Sequence, residues 1–363
     1  MKRLVLLGGG HAHVHCLAAF AAAAPPNVHV TLVSPYERQV YSGMLPGWIA
    51  GHYALDDCVI PLRPLAERAG ITFQHTAAVK LDAQARVVQC ADGSQHGYDV
   101  LSIDTGPVAD LEHLPGAREH ALAVRPIEVF IEGWRALRQR LIASGGGHVV
   151  MVGAGAAGVE LALAMHHALA GLPRSRLTLI SAANTLPGKT GARLEHRLRE
   201  AGIDVLSGTT AQRIRAGQVA LVGATTLDAD AIVVSTGTAA APWLQRAGLA
   251  VDERGFLLTD GALRSTSHAN VFAAGDCAAV IGHPRPKSGV YAVRAGPLLA
   301  RNLRHALVGA PLHSAVPQQR SLYLVSTGGR HAVGSWGRYA FEGAWVWRWK
   351  DRIDRKFVAK YSP

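Results

Sequence analysis

Short apolar runs, glycine turns and helix-favouring stretches follow one another along this chain, twice in the same order. Leu4 to Leu7 feeds Gly8-Gly9-Gly10 and then HAHVHCLA. Val149 to Val152 feeds Gly153-Ala154-Gly155-Ala156-Ala157-Gly158 and then VELALAM. Each pattern predicts a buried strand, a tight turn and a helix start. Each copy runs on to a second apolar strand ending in serine, VTLVS at Ser34 and LTLIS at Ser181. Each later reaches a buried strand ending in Thr-Gly, at Thr105-Gly106 and Thr236-Gly237. Alternating runs joined by turns such as Asp92-Gly93 predict hairpins between Ile71 and Val108. Hairpin-like strands recur before Gly237.

The rest of the chain joins and closes these two units. Pro35 to Tyr53 is rich in Gly, Pro and aromatics and reads as an ordered loop rather than a regular element. Leu111 to Gly147 reads as a crossover with a helix from about Pro126 to Ser144. Ala269 to Asp276 is a strand ending in Gly275-Asp276, and a helix follows Pro286 to about Val308. Ser321 to Trp349 alternates as strands, with Trp345, Trp347 and Trp349 on one face. Lys350 to Tyr361 is a basic amphipathic helix with Ile353, Phe357 and Tyr361 along one stripe. The expected fold class is α/β: two Rossmann-like dinucleotide-binding domains plus a small α+β C-terminal cap. The expected units are 1–110 with 252–316, then 111–251, then 317–363.

A strand, glycine turn and helix in this order suit a dinucleotide diphosphate. The first glycine turns the chain, the second admits the phosphates, and the third lets helix and strand pack closely. The free N–H groups of the helix start face the anion. Gly8 and Gly10 play the first two parts in one copy, and Gly153, Gly155 and Gly158 play all three in the other. His13 stands at the third position of the first copy, which predicts looser helix–strand contact there. Ser34 and Ser181 stand where an acid normally grips the ribose, and Glu37 is a substitute candidate for the first site. His11 and His15 share a helix face, yet a metal there would compete with the diphosphate, so no metal is expected. Asp276, after a strand-end glycine, suits nucleotide hydroxyls or a helix cap. Glu160 suits either a nicotinamide contact or the positive end of its helix.

Composition changes this picture little. At 363 residues with 49% hydrophobic and 17% charged residues, the chain suits two domains and an appendage. A net charge of +11 permits nucleic acid, an anionic membrane surface or anionic cofactors. The basic residues are spread out except for a C-terminal cluster, and no nucleic-acid motif occurs, so no nucleic-acid partner is expected. Cys16, Cys58, Cys90 and Cys277 are far apart and form no CxxC, which argues against a disulfide framework or zinc ribbon. A reducing cytoplasm is the expected location. Met1 to Pro26 carries Lys2-Arg3 and apolar residues, but its glycines and histidines make it a poor signal peptide.

The ordered set GGG, DTG, GAGAAGVE, STG and FAAGD resembles the two-dinucleotide-binding-domain flavoproteins, the pyridine nucleotide-disulfide oxidoreductase superfamily, over about residues 1–310. The chain looks like type II NADH dehydrogenases. More narrowly, GGGHAHVH, VYSGMLPGWIAGHY, RPKSGVYAVRAG and WRWKDRIDRKF are similar to the flavoprotein family found fused ahead of selenophosphate synthetase. The resemblance implies an FAD domain split by an inserted NAD(P)H domain, and hydride transfer from NAD(P)H to flavin and on to an acceptor such as a quinone. It implies cofactor contacts at Gly8, Gly10, His11, Ser34, Glu37, Arg38, Val79, Thr105, Gly106, Gly275 and Asp276 for FAD. For NAD(P)H it implies Gly153, Gly155, Gly158 and Gly237. Glu160 would orient the nicotinamide, and Lys287 or Tyr291 would lie near the reactive edge of the flavin. Expected partners are a small-molecule electron acceptor, the inner face of a membrane through the C-terminal helix, and selenophosphate synthetase. The CxxxxC pair of disulfide reductases and the paired cysteines of sulfide:quinone reductases are absent, and Gly43 stands near the cysteine position of coenzyme A-disulfide reductases. The AQxxxQ quinone-site pattern is replaced by Tyr291 to Arg294. Two other readings stay open: a flavoenzyme acting on a sulfur or selenium species, and a non-catalytic nucleotide-binding partner of another protein.

Overall fold

A computed structural model describes residues 1–183, 188–318 and 320–362. The two sequence units become two parallel sheets of the same strand order. Strand β1 (Lys2–Leu7) lies between β2 (Val28–Ser34) and β4 (Val100–Ile103), with β3 (Thr72–His75) beyond β2. In the second sheet β6 (His148–Val152) lies between β7 (Arg176–Ser181) and β9 (Ala231–Val234), with β8 (Asp204–Ser207) beyond β7. The fifth strand of each sheet is exchanged across the chain. β5 (Leu122–Ala123) joins the second sheet beside β9, and β10 (Val271–Ala273) returns to the first beside β4. All these pairings are parallel, so the strand interiors read as apolar runs. A three-stranded antiparallel meander is inserted in each unit, over residues 78–97 between β3 and β4 and over residues 211–228 between β8 and β9.

Helices cover the sheets where the glycine turns release the chain. α1 (His11–Ala22) follows Gly10 and packs on α5 (Gly289–Val308). α2 (Ile127–Ala143) fills the crossover, α3 (Ala156–Leu169) follows Gly155, and α4 (Gly188–Glu200) flanks the second sheet. The loop at 35–53 is more regular than its composition suggests. It holds a strand at Arg38–Val40 and a short helix at Leu45–Ile49, with Pro46 in its first turn, where its missing N–H costs nothing.

The C-terminal cap departs most from expectation. The antiparallel strands β11 (Leu322–Ser326), β12 (Ala332–Trp336) and β13 (Tyr339–Gly343) end at Gly343, whose φ of 142° suits glycine alone. Helix α6 (Ala344–Tyr361) starts there, so the three tryptophans belong to a helix and not to a strand. Trp345 and Trp349, four residues apart, stack outward with Phe341, while Trp347 turns inward against His52 and Tyr53. The buried stripe is also offset from the expected one. Val346, Lys350, Asp354, Val358 and Tyr361 face the body, and Ile353 faces outward. No helix among the described residues is long and apolar enough to cross a membrane.

Candidate functional site

A cavity of about 300 Å³ opens at the carboxyl ends of the first sheet. This is where a doubly wound sheet leaves a crevice for a ligand. The first turn (Gly8, Gly10), Ser34 at the end of β2, Thr105-Gly106 after β4 and Asp276 after β10 all line it. His11, Arg38, Ser42, Arg125 and Gly289 complete its polar and close-approach positions. Gly8 is required by its φ of 87° and by the backbone of Asp104, whose carbonyl oxygen would lie 2.5 Å from an added Cβ.

The third-glycine substitution has a specific solution. The His13 ring is buried, with Nδ1 2.6 Å from the Gly8 carbonyl oxygen and Nε2 2.8 Å from the Ser102 hydroxyl. A carbonyl only accepts, so Nδ1 carries the proton and Nε2 accepts from Ser102. Burial holds this imidazole neutral, pushing it down to about 4. The space between α1 and its strand is therefore bridged by the ring rather than merely looser. In the second module no such bridge exists, because a Cβ at Gly158 would stand 1.9 Å from the Gly153 carbonyl oxygen.

Two acids, Asp276 and Asp104, line the cavity at the first turn, and a third, Glu37, does not. The Asp276 carboxyl is raised by burial, while Arg125, 3.7 Å away, and Lys287 pull it back. Asp104 is buried in the cavity wall and accepts the N–H groups of Ala12 at 2.8 Å and His13 at 3.0 Å. Burial pushes it up to about 7 despite those two bonds. Glu37 points elsewhere. Its exposed carboxylate is taken by Arg63 at 2.5 Å, and it does not line the cavity. Ser34 instead closes on its own turn, donating to the Tyr36 carbonyl at 2.8 Å. Arg38 lines the wall while pairing with Glu128 at 3.0 Å, and Val79 is half exposed outside it, beside the lining residues Ala77 and Ala78.

The remaining candidates lie outside this cavity. Gly153 takes a φ of 108° against the Ser235 carbonyl, whereas an added Cβ at Gly155 or Gly237 would meet open space. Glu160 lies under the cap, where its Oε1 accepts the Ser326 N–H at 2.7 Å. Burial raises its carboxyl, and the Lys350 ammonium opposes that rise. Lys287 donates to the Ala278 carbonyl at 2.7 Å and sits 3.8 Å over the Phe256 ring. Tyr291 lies under Arg285, with the guanidinium 5.1 Å from its ring centre. The four cysteines are buried and free, so none offers an accessible thiol. No three-residue cluster of metal ligands occurs among the described residues.

Two residues at the site escaped the sequence reading. Arg125 lies in what reads as a plain linker before Pro126, yet its side chain reaches Asp276 across the chain. Asp104 stood inside the DTG motif, and its signal was the comparison with Ser235, which holds the same place in the second copy.

The cavity fits a flavin dinucleotide on its own geometry. The Nε2 atom of His11 is buried in the wall without a partner among the described residues, and burial pushes the imidazole down to about 4. A neutral donor or acceptor left unpaired in this way calls for a polar ligand atom. Nothing fills the side-chain direction of Gly155 in the second module, where a second diphosphate would approach.

Comparison with known proteins agrees with this geometry. The nitric oxide reductase FlRd-NAD(+) reductase of Shigella dysenteriae is 32% identical over 224 residues, covering 59% of this chain and 55% of that protein. The chain thus spans about half the length of the curated relatives it matches. The sulfide:quinone oxidoreductase of Aquifex aeolicus shares the fold with a TM-score of 0.82 at 20% identity, over 99% of this chain and 91% of that one. NDH2 from Plasmodium falciparum, solved in complex with NADH, gives a TM-score of 0.81 at 14% identity, over 99% and 97%. Residues 2–296 match the pyridine nucleotide-disulphide oxidoreductase family, so the chain belongs to that family of FAD- and NAD(P)H-dependent oxidoreductases.

Proposed function

We propose that this chain takes reducing equivalents from NAD(P)H at the second module and delivers them, through FAD held in the first, to a small acceptor such as a quinone. The observation that carries the reading is the convergence of Gly8, Gly10, Thr105-Gly106 and Asp276 on one cavity, beside a second glycine turn left open at Gly155. The FAD would supply the two-electron carrier between donor and acceptor. The residues of the chain bind, orient and exclude. The start of α1 faces the diphosphate, and the Arg125–Asp276 pair sits where nucleotide hydroxyls and charge need partners. The absence of an exposed thiol among four buried cysteines favours direct transfer over a thiol relay. Glu160 keeps its assigned part beside the nicotinamide in this reading, with Ser326 and Lys350 fixing its carboxylate.

Purified protein should be yellow with non-covalent FAD. Asp276→Ala should lower flavin occupancy while the far-ultraviolet circular dichroism stays unchanged. Full occupancy in that variant removes Asp276 from the binding site.

The outer face of α6 favours an acceptor dissolved in lipid. Trp345, Trp349 and Ile353 are 51%, 40% and 39% exposed, and they alternate at helical spacing with the exposed Arg348, Arg352 and Lys356. Tryptophan and basic side chains on one face suit the anionic surface of a bilayer. Binding to vesicles of phosphatidylglycerol should weaken as salt rises and should fall with Trp345→Ser/Trp349→Ser. Equal binding to neutral vesicles, or none to either, rules this surface out.

A further inference from the structure

Besides the His13 bridge, the two glycine turns of this chain differ by one acid, and the acid sits where the ligand must. Asp104 and Ser235 hold equivalent places: each carbonyl oxygen lies 2.5 Å from a Cβ built on the first glycine of its own module, Gly8 or Gly153. Beyond that the modules differ. A Cβ on Gly155 would meet nothing within 4 Å, whereas a Cβ on Gly10 would stand 2.3 to 2.4 Å from the Asp104 carboxyl. The side chain of Asp104 thus fills in the first module the space that is open in the second. It also takes the N–H groups of Ala12 and His13, donors that a diphosphate at this turn needs. No ion pair to Asp104 occurs among the described residues.

We propose that the first module binds its dinucleotide only with Asp104 as the neutral acid, so that at alkaline pH each cofactor bound takes up about one proton. This rests on the FAD reading of the cavity. A doubly charged diphosphate beside a buried carboxylate that has N–H donors but no ion-pair partner is a like-charge contact in a poorly screened place, and protonation removes it. Burial pushes the acid up to about 7, so above that pH it is the carboxylate that the diphosphate would meet. The facing groups leave the assignment clear. His11 and His13 on α1 are neutral down to about 4, and the thiols of Cys16 and Cys277 are pushed up by burial, Cys277 to about 12. Asp276 faces the same cavity, with Arg125 from the linker and Lys287 from the segment before α5 offsetting its charge. It is the one other group to control for.

The sign follows from linkage. Binding that takes up a proton weakens as pH rises above the pKa of the free site, by about tenfold per pH unit for one proton. Equilibrium dialysis of the flavin-loaded protein between pH 6 and 9 should therefore show the FAD dissociation constant rising about 50-fold from pH 7 to 9. Asp104→Asn should flatten that profile, and Asp276→Asn should weaken binding but keep its slope. If Asp104→Asn does not fold, adding FAD to flavin-depleted wild type in weakly buffered indicator at pH 8 should consume about one proton per FAD. A flat wild-type profile, a slope that persists in Asp104→Asn, or no proton consumed overturns the proposal. Protein that binds no FAD at any pH instead overturns the cofactor reading beneath it.

Discussion

Replacing Lys350 by methionine should destabilise the protein by about 3–5 kcal/mol, the cost of removing one partner from a buried ion pair. Lys350 is 7% exposed, pairs with Asp354 at 2.6 Å and donates to the Gly43 carbonyl. Burial alone would lower its pKa, but Asp354 and Glu160 outweigh that and raise it. Without the ammonium, two buried carboxylates face each other across α3 and α6. Guanidinium unfolding monitored by tryptophan fluorescence should show the loss, and Lys350→Met/Asp354→Leu should recover part of it. A carboxyl raised by burial, such as Glu160, contributes its stability below its unfolded pKa and loses it as pH rises through the folded one. The deficit of Lys350→Met should therefore shrink as pH falls from 7 towards 5. A loss under about 1 kcal/mol would place Lys350 among solvated surface charges.

Gly155 and Gly158 should separate binding from folding. An added Cβ at Gly155 meets open space and its φ is −63°, so Gly155→Val should leave stability within about 0.5 kcal/mol of wild type. The same side chain occupies the approach of the donor diphosphate, so NADH or NADPH binding should nearly vanish. Gly158→Ala places its Cβ 1.9 Å from the Gly153 carbonyl oxygen and must push the helix from the strand. Such overpacking costs about 1–3 kcal/mol of stability. Calorimetric titration and guanidinium unfolding on both variants check this. Unimpaired donor binding in Gly155→Val would mean that no diphosphate approaches this turn.

What the sequence made legible is what local backbone chemistry determines. Gly8, Gly153 and Gly158 announce themselves because no other residue fits their φ or their contacts, and their repetition set the two sheets in the same order. Features decided by distant partners stayed hidden. Glu37 reads as a ribose ligand until Arg63 is seen to take it. Arg125 reads as linker until the chain returns with Asp276. The alternation of Trp345, Trp347 and Trp349 matches a strand, but Gly343 ends the sheet and the helix then splits the three between solvent and body. Lys350 reads as one more basic residue of the amphipathic helix; Asp354 is its i+4 neighbour, but the Gly43 carbonyl that it reaches comes from a distant loop.

In the proposed function, electrons enter from a nicotinamide at the second module and pass to a flavin in the first. Anaerobic stopped-flow mixing of the purified protein with NADH, and separately with NADPH, tests it most directly. The visible absorption of the bound flavin should bleach with at least one of the two nucleotides, at a rate that saturates with nucleotide concentration. Protein that lacks flavin absorption, or whose flavin stays oxidised with both nucleotides, contradicts the account.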